Sequence, residues 1–168
     1  QFTTISVPFR DSFCQNFSPY ISDISVDDEM LAYCVNFQYK VDVKIYDMQH
    51  NKQITEFSLE KYSQDDYHLE FMEHPLIRIY KDKLLCTTGG PVAYFYQDLC
   101  GKKKLERFPM REDIIKVFLE ENSLGFVTES GYDGINLNHY DLIQKKSISC
   151  LLPSCLVSFF PPRFLNSV

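Results

Sequence analysis

The sequence lacks several features that mark common classes of protein. It contains no long uninterrupted apolar run, so no membrane-spanning helix is predicted. None of its six cysteines forms a C-x-x-C pair, which leaves a zinc site unsupported. The only dense basic run covers residues 102–104, beside a predicted turn, and the net charge is −6. Because a phosphate-binding surface needs clustered cations, we do not expect nucleic acid as a direct ligand.

Signatures of common catalytic sites are also missing. The chain has no Gly-x-Ser-x-Gly elbow, no phosphate-binding glycine loop and no His-Glu-x-x-His motif. The best candidate for metal binding or acid–base chemistry is a group of histidines and carboxylates: His68, His74, Asp65, Asp66, Glu70 and Glu73. Nothing fixes a ligand spacing there, so we interpret it as an acidic solvated loop. We therefore predict no enzyme activity, no metal and no cofactor.

The chain does carry the composition of a β protein. Tryptophan is absent, but 14 phenylalanines and 11 tyrosines supply bulky side chains that favour strands. Apolar and polar residues alternate over residues 41–46, as in a half-buried strand, whereas residues 31–35 are apolar throughout, as in a strand buried on both faces. Cys34 and Cys86 lie inside such apolar runs, so we expect reduced thiols and a cytoplasmic or nuclear location.

Three segments repeat the same layout of four short strands with polar turns between them. They cover residues 21–59, 76–108 and 114–152. The first and second segments are separated by a polar, tyrosine-containing insertion at residues 60–75. Insertions in repeat proteins map to loops that often bind partners, and a second interpretation of this one is an extra edge strand. We predict a partner-binding surface there, with the anchor and acidic residues Tyr62, Asp65, Asp66, Tyr67, Phe71 and Met72, suited to a basic partner.

Residues 124–142 resemble the centre of a WD40 repeat. In that family an apolar strand and a Ser/Gly/Asp-Gly turn precede a strand that ends in Trp-Asp. Here the turn contains Asp133, which matches the family's structural turn aspartate. The strand ends in Tyr140-Asp141, and the same slot holds Tyr46-Asp47 in the first segment and, approximately, Tyr96-Gln97-Asp98 in the second. The Gly-His dipeptide of the family is absent from every segment.

The resemblance implies an all-β, β-propeller-like fold of about three four-stranded antiparallel blades, with partial strands at residues 1–20 and 153–168. A β-sandwich is the alternative. It also implies that Tyr46 and Tyr140 are largely buried at equivalent positions, with Tyr96 in register. Three blades do not close a ring. The chain starts at Gln1, and we expect a fragment of a longer protein, a ring completed by a partner, or a fourth blade shared by residues 3–9 and 157–165.

For function, the resemblance implies a protein-interaction scaffold or substrate receptor in a multi-subunit assembly. One alternative is a propeller-type hydrolase, which would need inward carboxylates from several blades. Strand starts offer Asp23 and Asp113 for this role but no repeated motif. Another is a β-sandwich that binds peptides or glycans. Function in such folds depends on the loops rather than on the fold.

Overall fold

The computed structural model describes residues 19–61, 74–99, 105–129 and 134–153, and these form twelve β-strands in three consecutive groups of four. The first group is β1 (Tyr20–Asp27), β2 (Met30–Asn36), β3 (Lys40–Asp47) and β4 (Lys52–Glu60). The second is β5 (Ile77–Tyr80), β6 (Lys83–Thr87), β7 (Val92–Tyr96) and β8 (Leu105–Pro109). The third is β9 (Ile114–Leu119), β10 (Ser123–Glu129), β11 (Gly134–Asp141) and β12 (Lys146–Pro153).

Each group forms its own antiparallel sheet, with the strands paired in chain order. We call these sheets blade 1, blade 2 and blade 3. Tight turns join the strands: Asp28 and Asn51 have φ angles of 47° and 49° in the first and third turns of blade 1. Asp and Asn tolerate this left-handed conformation better than most residues, which explains why these turns form where the sequence predicts them. Among the described residues, no helix is long and apolar enough to span a membrane.

Two apolar cores lie between consecutive blades. The first joins Ala32, Cys34, Val41, Val43, Ile45 and Leu59 of blade 1 to Ile77, Ile79, Leu84 and Cys86 of blade 2. The second joins Leu85, Ala93 and Phe95 of blade 2 to Ile114, Val117, Leu124 and Phe126 of blade 3. Successive residues of a strand face opposite sides of its sheet, so the adjacent leucines of β6 enter different cores. Blade 2 is therefore packed on both faces, which explains the apolar runs in its strands.

A ladder of polar side chains also joins blade 1 to blade 2. Asp23 Oδ2 accepts hydrogen bonds from the Ile77 backbone N–H (2.9 Å) and the Arg78 guanidinium (2.7 Å). Ser25 Oγ accepts one from the Ile79 N–H at 3.0 Å, and Asp27 accepts one from the N–H of Lys81 at 2.5 Å. Alternate side chains of β1 thus satisfy alternate N–H groups on the free edge of β5. An unpaired strand edge is a liability, and this ladder covers it.

Candidate protein-interaction surface

Antiparallel hairpins bring the first and third turns of each blade to the same end of the molecule. In blade 1 the two turns are joined by a hydrogen bond from the Met48 N–H to the Glu29 carbonyl, at 2.7 Å. In blade 2 the Leu99 N–H donates to the Asp82 carbonyl at 2.9 Å. These turns are rich in acidic residues because Asp is favoured where a chain reverses. The fold therefore concentrates negative charge at this end.

Between the turns of blades 1 and 2 lies a cavity of about 630 Å³. Its lining includes five carboxylates and one ammonium group: Asp27, Asp28, Glu29, Asp47, Asp82 and Lys81. We call the five carboxylate residues the acidic turn surface. Met30 and Leu99, both half-buried, complete the lining and supply apolar contacts.

Two of the five carboxylates are already engaged by the turns themselves. Asp27 accepts the Lys81 N–H, as described above. Asp47 Oδ1 accepts the backbone N–H of His50 at 2.9 Å, and Asp47 Oδ2 lies 2.8 Å from Nδ1 of the same histidine. The hydrogen bond from the His50 backbone, followed by that from its side chain, lowers the pKa of Asp47 below its ordinary value of 3.8. These groups hold the shape of the surface.

The single ammonium of the cavity is also engaged. Lys81 Nζ lies 2.8 Å from Glu121 Oε1, in the turn between β9 and β10 of blade 3. This hydrogen bond raises the pKa of Lys81 and lowers that of Glu121. Because its charge is shared with a carboxylate outside the cavity, Lys81 compensates the acidic turn surface only in part.

The other three carboxylates are free to meet a partner. Asp28, Glu29 and Asp82 are exposed, and within the part of the chain that the structure describes their side chains make no hydrogen bond or ion pair. A concave surface with free carboxylates and an apolar lining suits a lysine or arginine side chain. Its aliphatic stem would pack on Met30 and Leu99, while its charged end would reach the carboxylates.

The three tyrosines singled out in the sequence occupy equivalent places. Tyr46, Tyr96 and Tyr140 each stand opposite a leucine, which is the second residue of the second strand of the blade. We expected Tyr46 and Tyr140 to be largely buried, but all three are half-buried. The reason is geometric, since each lies at the turn end of its strand, where the neighbouring blade covers the ring only in part.

Two of these tyrosines contact the preceding blade through an aromatic residue of its fourth strand. Tyr96 stacks on Phe57, with ring centroids 4.5 Å apart. Tyr140 meets Phe108 edge to face, with centroids 5.0 Å apart. Burial raises the pKa of the Tyr96 hydroxyl to about 12. In blades 2 and 3 the aromatic residue at this position therefore packs against the preceding blade.

The aspartates after these tyrosines shape the hairpins. Asp141 Oδ1 accepts the N–H groups of Ile143 and Gln144, both at 2.8 Å. Asp47 makes the corresponding contact with His50, whereas the turn after Asp98 falls partly outside the described residues. Side-chain acceptors of this kind nucleate a turn by satisfying its backbone donors.

Several predicted residues lie outside the described part of the chain. They are the partner-binding residues Tyr62, Asp65, Asp66, Tyr67, Phe71 and Met72, the turn residue Asp133, and the basic residues 102–104. The terminal strands proposed at residues 1–20 and 153–168 also lie outside it, except for Pro19, which precedes β1, and for Tyr20 and Pro153, which belong to β1 and β12.

The carboxylates considered for hydrolase chemistry are not brought together by any described contact. Asp23 belongs to the ladder between blades 1 and 2. Asp113 is exposed, and its backbone carbonyl accepts the Glu129 N–H at 3.2 Å. No group of three or more His, Cys, Asp or Glu side chains in the described ranges is arranged to hold a metal ion.

The acidic turn surface was missed by sequence reasoning, which placed the acidic contact in the insertion. A signal was present, because Asp28, Glu29, Asp47 and Asp82 all fall in or beside predicted turns. The sequence does not show that turns of different blades share one cavity. That convergence follows from the packing of blade 1 on blade 2.

No protein-family model matches the sequence, and no curated protein matches it. Several solved structures do match. Hsv2 from Kluyveromyces marxianus aligns with a TM-score of 0.54 and 13% identity, over 80% of this chain and 38% of that chain. The β-propeller domain of the Trilobed protease from Pyrococcus furiosus gives 0.53 and 14%, over 80% and 43%. The computationally designed Ika4 protein gives 0.53 and 7%, over 80% and 73%.

Likeness at such low identity shows the fold alone. The all-β, propeller-like architecture of three four-stranded antiparallel blades is confirmed, and the β-sandwich alternative is set aside. The chain spans about two fifths of the length of the two natural proteins compared.

Proposed function

We propose that this chain is a non-catalytic protein-interaction module of a WD40-like propeller, and that its acidic turn surface binds a basic segment of a partner subunit. The observation that carries the proposal is the cavity between blades 1 and 2, with its five carboxylates around an apolar lining. Propellers present rigid turns from stacked sheets, and such turns are suited to recognition.

The electrostatics favour a basic peptide over other ligands. An anionic ligand such as nucleic acid or a phosphorylated peptide would be repelled by Asp28, Glu29 and Asp82, which Lys81 compensates only in part because it is paired with Glu121. A cationic segment would instead be attracted over a distance of about one Debye length and would associate faster.

The proposal of a scaffold role also draws on the WD40-like pattern of the third strands. We propose a cytoplasmic or nuclear location on the basis of the buried, unpaired Cys34 and Cys86. One similar structure is a domain of a protease, so propellers also occur within enzymes. No described cluster of side chains favours a catalytic role for this chain, and the interaction role is the one that we propose.

The test reverses charge on the acidic turn surface. A tagged protein that carries Glu29→Lys and Asp82→Lys is compared with the wild type, and co-purifying partners are quantified by mass spectrometry. Reversing the charge of two carboxylates at a charged contact weakens the binding free energy by at least about 1.4 kcal/mol. Recovery of the partner that binds the acidic turn surface should therefore fall at least about tenfold. Raising the salt concentration should also lower the recovery of this partner by the wild type, because salt screens the attraction between opposite charges.

The matched control carries Glu106→Lys and Glu129→Lys, which change the net charge equally at exposed positions outside the cavity. Both variants are checked for folding by circular dichroism. Equal loss of partners in the two variants would show a non-specific charge effect, and undiminished recovery by the cavity variant would exclude the acidic turn surface as the contact.

A further inference from the structure

The first turns of the three blades are built alike. Each consists of two residues, at positions 28–29, 81–82 and 121–122. In every blade the backbone carbonyl of the second turn residue accepts an N–H from the third turn. Asp28 and Lys81 also share the left-handed backbone, with φ angles of 47° and 53°. Residues around these turns can therefore be compared position by position between blades.

The gap between the turns of blades 2 and 3 is bridged by two lysines of blade 2. Lys81 Nζ lies 2.8 Å from Glu121 Oε1, and Lys83 Nζ donates to the backbone carbonyl of the same glutamate. Lys83 points towards blade 3 because its neighbour Leu84 packs in the core on the side of blade 1. Two ammonium groups of blade 2 thus bind one turn residue of the following blade.

The gap between the turns of blades 1 and 2 has neither lysine. Asp28 stands at the position of Lys81, and Met30 stands at that of Lys83. Met30 also points towards the following blade, since it packs against the core between blades 1 and 2. Its side chain is unbranched like that of lysine but carries no charge. The gap without these two ammonium groups is the one that contains the cavity of about 630 Å³ with its five carboxylates.

We propose that the acidic turn surface binds a lysine side chain of the partner, and that its ammonium group takes the place between blades 1 and 2 that the Lys83 ammonium takes between blades 2 and 3. The stem of the bound lysine packs on Met30 and Leu99, which line the cavity. Its ammonium group donates to the exposed carboxylates of Glu29 and Asp82. This inference rests on the proposed function and names the side chain that the surface recognises.

The arrangement of the acceptors favours an ammonium group over a guanidinium group. The carboxylates come from separate places: Glu29 from the first turn of blade 1, Asp47 from the end of β3 and Asp82 from the first turn of blade 2. An ammonium group donates in three directions from one point, whereas the planar fork of arginine matches the two oxygens of a single carboxylate. Lys81 and Lys83, which bridge the neighbouring gap, supply ammonium groups as well.

Fluorescein-labelled peptides test the choice of side chain on the wild-type protein. Each peptide has the same number of basic residues separated by Gly-Ser pairs, with lysine in one peptide and arginine in the other. A peptide with acetyl-lysine at the same positions is the uncharged control. Dissociation constants are measured by fluorescence anisotropy at low salt, where the attraction between charges is least screened. We expect the lysine peptide to bind at least about fivefold more tightly than the arginine peptide, and the acetylated peptide not to bind.

A substitution in the cavity tests the position of the ammonium group. Met30→Lys supplies from the chain itself the lysine that Lys83 provides in the next gap, so it should compete with the lysine peptide and weaken its binding about tenfold. Met30→Leu keeps the apolar lining and should leave binding unchanged. Gln38→Lys adds the same charge at an exposed position at the opposite end of blade 1, and it should have an effect below about twofold. Folding of each variant is checked by circular dichroism, and the wild-type comparison of peptides decides alone if Met30→Lys does not fold.

The outcomes separate this inference from the function on which it rests. Equal or tighter binding of the arginine peptide would overturn the preference for lysine and leave the proposal of a basic partner standing. Undiminished binding of the lysine peptide by a folded Met30→Lys variant would overturn the assigned position in the same way. If neither basic peptide binds the wild type, the proposed function fails, and this inference fails with it.

Discussion

The polar ladder between blades 1 and 2 makes a sharp prediction for Asp23. In the Asp23→Ala variant, the N–H of Ile77, a residue with 0% exposure, loses its acceptor, and Arg78 loses its ion pair. A hydrogen bond to a charged group contributes about 1.5–3 kcal/mol, and a buried donor left without a partner costs about 1–3 kcal/mol. These terms overlap because they concern the same carboxylate. We expect the free energy of unfolding to fall by about 3 kcal/mol.

Related variants separate the components of this effect. Asp23→Asn keeps an acceptor for the Ile77 N–H and removes only the charge, so we expect a loss of about 1 kcal/mol. Ser25→Ala removes one neutral acceptor and costs about 1 kcal/mol as well. A double-mutant cycle of Asp23→Ala with Arg78→Met isolates the ion pair, for which we expect a coupling of about 1 kcal/mol, since both side chains are partly exposed.

The assay is urea unfolding followed by far-ultraviolet circular dichroism, because the chain has no tryptophan to report fluorescence. The control is Glu29→Ala, an exposed change near the end of the same hairpin, which we expect to alter stability by less than about 0.5 kcal/mol. The slope of the free energy of unfolding against urea concentration must be the same in all variants for their stabilities to be compared. If Asp23→Ala costs no more than Glu29→Ala, the ladder does not stabilise the contact between the blades, and the reasoning is refuted.

Three further predictions concern packing, pH and thiol reactivity. Phe108→Ala removes the half-buried ring that contacts the aromatic residues of blade 3, and it should cost about 2–3 kcal/mol in the same urea assay; Phe108→Leu should recover about half of that loss. Hydrogen bonds from His50 lower the pKa of Asp47. The ionised Asp47 therefore stabilises its turn at pH values above the ordinary pKa of 3.8, and this stabilisation is lost as the pH falls through the lowered pKa. An NMR titration midpoint of Asp47 at or above 3.8 would contradict this. Burial raises the pKa of the Cys86 thiol, so alkylation at pH 8 should label the exposed Cys150 and leave Cys86 unmodified until the protein unfolds. Equal modification of the two cysteines in the folded protein, measured by mass spectrometry, would show that Cys86 is not buried.

The sequence predicts the elements of this fold well because their signals are local. Alternation at residues 41–46 and the apolar run at residues 31–35 follow directly from which faces of a strand are covered. Turn residues such as Asp28 and Asn51 adopt the left-handed backbone that their type tolerates. The tyrosine near the end of the third strand marks the same register position in each blade, and an aspartate follows it directly in blades 1 and 3. These signals suffice for an all-β fold built of repeated four-stranded blades.

The contacts between blades depend on residues far apart in the chain, and no local pattern encodes them. The N–H of Ile77 finds its acceptor on Asp23, 54 residues earlier, because two sheets pack face to face. The acidic turn surface assembles for the same reason, since Glu29 and Asp82 belong to different blades and share a cavity only after packing. The exposure of Leu137, beside the full burial of Val43 and Ala93 at the same register position in blades 1 and 2, is likewise a property of the stack. Strand period and turn chemistry act within a few residues, whereas the sites of this protein arise where sheets meet, and only the tertiary structure decides that.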